Sequence, residues 1–146
     1  MSTDFEIVDP ERFTVGTVGK PGERVFYVQS VSDGELVSLK CEKVQLGTLG
    51  EYLNSLLTDL PPADWETVGD VELVEPVLEN WTAGQMAVAY DGPNDRVVIV
   101  VDELVGEDDS GATARFVVSR DQVRALVRRI RVLLASSRES SNGHGH

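Results

Sequence analysis

Histidine and cysteine are nearly missing from this chain: the only cysteine is Cys41, and the two histidines, His144 and His146, fall within its last three residues. One cysteine excludes an intrachain disulfide. Two imidazoles fall short of the three or four convergent ligands that a structural or catalytic zinc requires, so no metal and no cofactor is expected. The same scarcity removes the commonest general base from the body of the chain and with it any Ser-His-Asp or Cys-His arrangement there. Basic residues are also few, 13 against 25 acids, for a net charge of −12. That balance opposes coating nucleic acid or an anionic membrane, both of which demand a positive footprint. No apolar run approaches the ~20 residues that span a bilayer. The start, Met1-Ser2-Thr3-Asp4-Phe5-Glu6, is acidic and lacks the basic and apolar regions of a secretory signal. A cytoplasmic location is the expectation.

What the chain does contain is repetition. Phe13-Thr14-Val15-Gly16 is echoed by Trp81-Thr82-Ala83-Gly84, and Glu23-Arg24-Val25-Phe26 by Asp95-Arg96-Val97-Val98. Leu46, Leu49, Leu53, Leu56 and Leu57 align with Val123, Leu126, Ile130, Leu133 and Leu134. The offsets grow from 68 to 72 to 77, as they would if hairpin loops lengthened while elements kept their pattern. Each copy reads as three strands and a helix. In the first, strands cover Phe13–Val18, Arg24–Val31 and Leu36–Cys41, separated by the Gly19-Lys20-Pro21-Gly22 turn and the Asp33-Gly34 hairpin signal. In the second, strands cover Trp81–Tyr90, Arg96–Leu104 and Thr113–Val118, and Ser119 with Gln122 forms a capping box for the helix that follows.

A chain of 146 residues is ordinarily one domain with its own apolar core. The expected organisation is a single α+β domain over 1–135: repeat one at 13–58, an acidic connection at 59–80, and repeat two at 81–135. Residues 136–146 are expected to be a disordered tail. The connection holds Pro61, Pro62 and Pro76 among seven acids and reads as an extended surface segment, with a short strand near Val71–Val74. Two antiparallel three-stranded meanders and two amphipathic helices imply pseudo-twofold symmetry, with both helices on one side of the sheet.

Charge is distributed unevenly. From Arg115 to Arg138 there are seven arginines and one acid, a local +6, whereas Met1 to Ala114 carries −17. Arg120, Arg124, Arg128 and Arg131 fall at helical spacing and form one polar stripe beside the apolar face. Such a stripe either is a solvated face paired with the acidic body or docks an acidic protein or a phosphate-bearing ligand. With no aromatics nearby for base stacking, nucleic acid fits it poorly. Arg24 and Arg96 hold equivalent positions at the start of the middle strand of each copy. A pseudo-twofold axis between them would converge two guanidinium groups on one carboxylate or phosphate; the alternative is local pairing with Glu23 and Asp95.

Other candidates are weaker. Cys41 reads as a small buried apolar residue, although Lys40 and Lys43 leave open a reactive thiol. Gly16-Thr17-Val18-Gly19-Lys20-Pro21-Gly22 lacks the phosphate-loop spacing and a following helix. Asp102, Glu103, Glu107, Asp108 and Asp109 do not follow a calcium-loop pattern and read as solvated loop acids. An enzyme of unfamiliar type would rely on such carboxylates, Tyr27, Tyr90 or Cys41, and the balance leans against catalysis.

The stretches Asp9-Pro10-Glu11-Arg12-Phe13, Gly16-Thr17-Val18-Gly19-Lys20-Pro21-Gly22 with Arg24-Val25-Phe26, and the arginine-rich last helix resemble an uncharacterised actinobacterial family of about this length. The resemblance spans residues 5 to 135 and includes no catalytic motif. It implies a neighbourhood shared with a kinase-like and a histidine-phosphatase-like protein. Many relatives end in a cysteine-rich tail resembling a zinc ribbon. The tail here, from Ser136 to His146, has no cysteine, so no zinc site carries over. The combined reading is a non-enzymatic binding or adaptor protein that docks an acidic partner through its last helix. Its alternatives are an anion-binding domain at Arg24 and Arg96, or the unfamiliar enzyme.

Overall fold

A computed structural model of the protein describes residues 2–61 and 71–144, with side chains through Ser136. The elements in chain order are β1 (Phe5–Val8), β2 (Arg12–Val18), β3 (Val25–Ser32), β4 (Glu35–Cys41), α1 (Lys43–Asp59), β5 (Trp81–Asp91), β6 (Arg96–Glu103), β7 (Thr113–Val118) and α2 (Arg120–His144). The six strands and two helices expected from the periodicity are present. β1 was not anticipated, and Val71–Val74 carries no strand. The backbone of α2 runs on through Ser136 to His144, where the composition suggests a disordered tail. No proline interrupts that stretch and its first glycine is Gly143, so nothing in it terminates the helix earlier.

The two expected antiparallel meanders, β2-β3-β4 and β5-β6-β7, are joined in one seven-stranded mixed sheet in the order β1-β7-β6-β5-β4-β3-β2. β4 and β5 run parallel, as do β1 and β7. The first parallel pair follows from α1, since a chain leaving β4 must cross over before it can begin a strand in the same direction. This arrangement does not confirm the expected pseudo-twofold symmetry. β2-β3-β4 and β5-β6-β7 succeed one another across the sheet in the same order and strand sense.

The sheet also curls until its end strands meet. Asp9 N–H bonds Val117 O at 2.9 Å, and Glu11 N–H bonds Val31 O at 2.9 Å. The chain thus passes at Pro10 from pairing with β7 to pairing with β3. Inside this corner the rings of Phe13 and Phe116 lie 5.1 Å apart. Inward-facing residues of the strands, among them Val15, Val28, Leu39, Ile99 and Phe116, join Leu46, Leu49 and Leu53 of α1 and Val123, Leu126 and Ile130 of α2 in one core. The two helices therefore share one side of the sheet and pack on each other.

The opposite side of β2, β3 and β4 is polar yet buried. Thr14, Gln29 and Ser38 are mutual register partners, so their side chains form one row across three strands. Each is 3% exposed or less. Their cover is the segment 71–80, which straps across the row. Gln29 donates to Val74 O at 3.0 Å and accepts from Val74 N–H at 2.7 Å. Thr14 Oγ1 donates to Val71 O, and Ser38 exchanges bonds with Asn80, N–H to Oδ1 and O from N–H, both at 2.8 Å. The strap is held by side-chain amide and hydroxyl groups acting where a sheet partner would.

Candidate functional site

The capping box at the start of α2 is present: Gln122 N–H bonds Ser119 Oγ at 3.1 Å, and Ser119 N–H bonds Gln122 Oε1 at 3.2 Å. From this start the helical spacing sets Arg120, Arg124, Arg128 and Arg131 along one flank, but their surroundings differ. Arg120 is largely enclosed, with its side chain 12% exposed. Its Nε donates to Asp95 Oδ1 at 2.7 Å, Nη2 to the Tyr90 hydroxyl at 3.1 Å, and Nη1 to Pro61 O at 2.8 Å. The Tyr90 hydroxyl in turn donates to Asp95 Oδ1 at 2.6 Å. These bonds hold the Asp95 carboxyl below the usual carboxylate range, Tyr90 contributing most and Arg120 next. They raise Arg120 further above its ordinary value. Arg120 thus ties the beginning of α2 to the β5–β6 turn and to the chain just past α1. It is a tertiary staple.

Arg124 bonds Asp121 at 3.2 Å, one turn back along the helix. Arg128 and Arg131 are exposed, and Val132 beside them is 56% exposed. The part of the stripe exposed to solvent is therefore that of Arg128 and Arg131. Arg129, which lies off the stripe, reaches the backbone of β2. Its Nε donates to Val15 O at 3.3 Å. Nothing in the helical periodicity marks it, because its partner is a backbone carbonyl far away in sequence.

Arg24 and Arg96 are not brought together. Arg96 opens β6 and Arg24 precedes β3, with β5 and β4 between these strands in the sheet. Arg96 Nε bonds Asp9 Oδ1 at 2.7 Å, and Nη1 bonds the carbonyls of Asn94 and Asp95. Two strands thus separate the pair, and Arg96 is engaged by the Asp9 carboxylate and nearby carbonyls.

Cys41 is 5% exposed, and burial pushes its thiol up to about 12, with Glu42 adding to the rise. It holds no thiolate at neutral pH, the condition a nucleophile or a metal ligand would need. The acids at the end of β6 serve as local fasteners. Glu103 accepts from Ser2 at 2.6 Å and from Ala112 N–H at 3.0 Å, and Asp102 accepts from Thr113 at 3.1 Å. Among the described residues no three His, Cys, Asp or Glu side chains are grouped as a metal site, and no helix is long and apolar enough to cross a membrane. His144 and His146 lie beyond the described side chains.

Fold and surface together define a single-sheet α+β domain with a cationic helix, whose conspicuous polar groups serve mainly to hold its own elements together. By sequence, the chain belongs to the family described as protein of unknown function (DUF3090), whose model matches residues 5–142. No curated protein and no solved structure matches it.

Proposed function

We propose that this protein is a non-enzymatic adaptor in the cytoplasm, and that it docks an acidic protein partner on the solvent face of α2. The observation that carries the reading is the exposure of Arg128 and Arg131 on a helix whose charge opposes the acidic remainder of the chain. Complementary charge of this kind steers association and selects partners. Arg124 flanks the face, Val132 supplies apolar contact within it, and Arg120 is excluded by its commitment to Asp95 and Tyr90. The family resemblance suggests the kinase-like or histidine-phosphatase-like protein as the partner. The common β-β-β-α order of the two halves further supports an origin by internal duplication.

The test is affinity capture with wild type and with the Arg128→Glu, Arg131→Glu double variant, each captured protein then titrated in purified form. A purified acidic partner that binds wild type and loses at least about tenfold in affinity to the variant supports the reading, on the scale of two charge pairs lost. Equal binding by both proteins, or none by either, removes the docking role from this face.

A further inference from the structure

The outer edge of β2 is only partly closed. The hairpin joins Ser32 to Glu35 through two residues, which makes that pair a hydrogen-bonded one. By alternation, Val25, Tyr27, Gln29 and Val31 of β3 direct their peptide groups toward β2, where they meet Val18, Gly16, Thr14 and Arg12. The residues between, Phe13, Val15 and Thr17, therefore turn their N–H and C=O outward. Arg129 takes one of these groups, the carbonyl of Val15. Beyond it, no described strand or loop backbone pairs with Thr17.

Thr17 faces a cleft of about 260 Å³ walled by Arg129 on one side and by Leu73, Glu75 and Val77 of the strap on the other. A shallower hollow of about 410 Å³ continues it past Val18, Val77 and Pro76. Val18 is 44% exposed there. Four features thus follow one another along a strand edge. A guanidinium bonded through Nε leaves its Nη groups for a carboxylate. Next comes an outward N–H and C=O pair, which suits one peptide group of an added strand. An apolar floor follows in the hollow at Val18, Pro76 and Val77, and Glu72 and Glu75, which line the cleft together with Arg129, repel any acid not bonded to its guanidinium.

We propose that this groove binds the C-terminal end of an extended peptide, added as a short strand on β2. The terminal carboxylate lies on Arg129, a peptide group pairs with Thr17, and apolar side chains rest on Val18 and Val77. The peptide carries no further acid near its end. This site is separate from the α2 docking face, because Arg129 faces the strap whereas Arg128 and Arg131 face solvent.

The experiment is a titration of ¹⁵N-labelled full-length protein with a library of N-acetylated tetrapeptides whose last two residues are apolar, each as free acid and as amide. The expected result is movement of the Gly16, Thr17 and Val18 amide signals with the free acids, weakened at least about tenfold by amidation or by Arg129→Gln, the scale of one lost charged hydrogen bond. Thr17→Pro, which removes only an outward N–H and is tolerated on a strand edge, abolishes the effect while the remaining spectrum stays native. Arg128→Glu with Arg131→Glu leaves it intact. No movement with any free acid at millimolar concentration, movement confined to other residues, or equal binding of acids and amides overturns the proposal.

Discussion

A Cβ placed on Gly16 would stand 2.5 Å from Cγ of Leu73, so the strap can lie against β2 only because residue 16 has no side chain. Glycine here serves close approach, not a turn. Gly16→Ala is expected to destabilise the protein by roughly 1–3 kcal/mol through overpacking. Adding Leu73→Ala should restore part of that loss. Urea denaturation of both single variants and the double variant checks this: strictly additive effects would show that the two residues do not meet.

Gln29 holds the strap from the other strand. Gln29→Met preserves volume but leaves Val74 N–H, Val74 O and the Ser38 hydroxyl without their partner. A loss of about 1–3 kcal/mol is expected. Amide exchange at Val74 should quicken by a larger factor than exchange at core residues such as Val28. A uniform change across the protein would argue against a locally held strap.

Asp95 predicts acid sensitivity. Tyr90 and Arg120 favour its charged form and place its folded pKa below the ordinary value, near 3.9 for an unfolded chain. The contribution is complete above that unfolded value and is lost as pH falls through the lower, folded one. It is modest, since the carboxyl is 52% exposed. Asp95→Asn should melt below wild type at pH 7, and the gap should narrow as pH drops below about 4. A gap independent of pH would show that the carboxylate charge plays no part.

For Cys41 the sign is opposite. Its thiol ionises near 8.5 when unfolded but only at about 12 when folded. Stability from this residue is complete below the first value and declines as pH rises toward the second. Native protein at pH 8 should resist maleimide labelling until denaturant opens the fold. Rapid labelling of the native state would put the thiol at the surface and revive its candidacy as a nucleophile.

Where the helices meet, Cγ2 of Ile130 would be 3.2 Å from a Cβ on Gly50. Ile130→Ala should cost about 2–5 kcal/mol as a core truncation. Gly50→Ala in that background should recover part of it, since alanine favours the helix by roughly 1 kcal/mol and now fills space. In the wild-type background the same change should gain less. Thermal melting of the four proteins measures the difference.

Elements whose physics is local were legible in the chain. Asp33-Gly34 specifies its hairpin, Ser119 and Gln122 cap α2, and the leucine and valine spacings identify the buried helix faces, because each depends on neighbours within a few residues. Composition and charge likewise identified the last helix as the cationic element of an acidic chain. The tertiary structure decided how those elements are arranged. The parallel pairing of β4 with β5 and the corner at Pro10 depend on contacts between residues remote in sequence, so repetition marked the two meanders but not the mixed sheet that joins them. The uses of the arginines were hidden for the same reason. Four arginines on one helical stripe look alike in sequence. Only the positions of Tyr90, Asp95 and Pro61 turn Arg120 into a staple while Arg128 and Arg131 remain at the surface. Gly16 and Arg129 acquire meaning only where a strap and a strand edge, supplied by distant parts of the chain, come to lie against them.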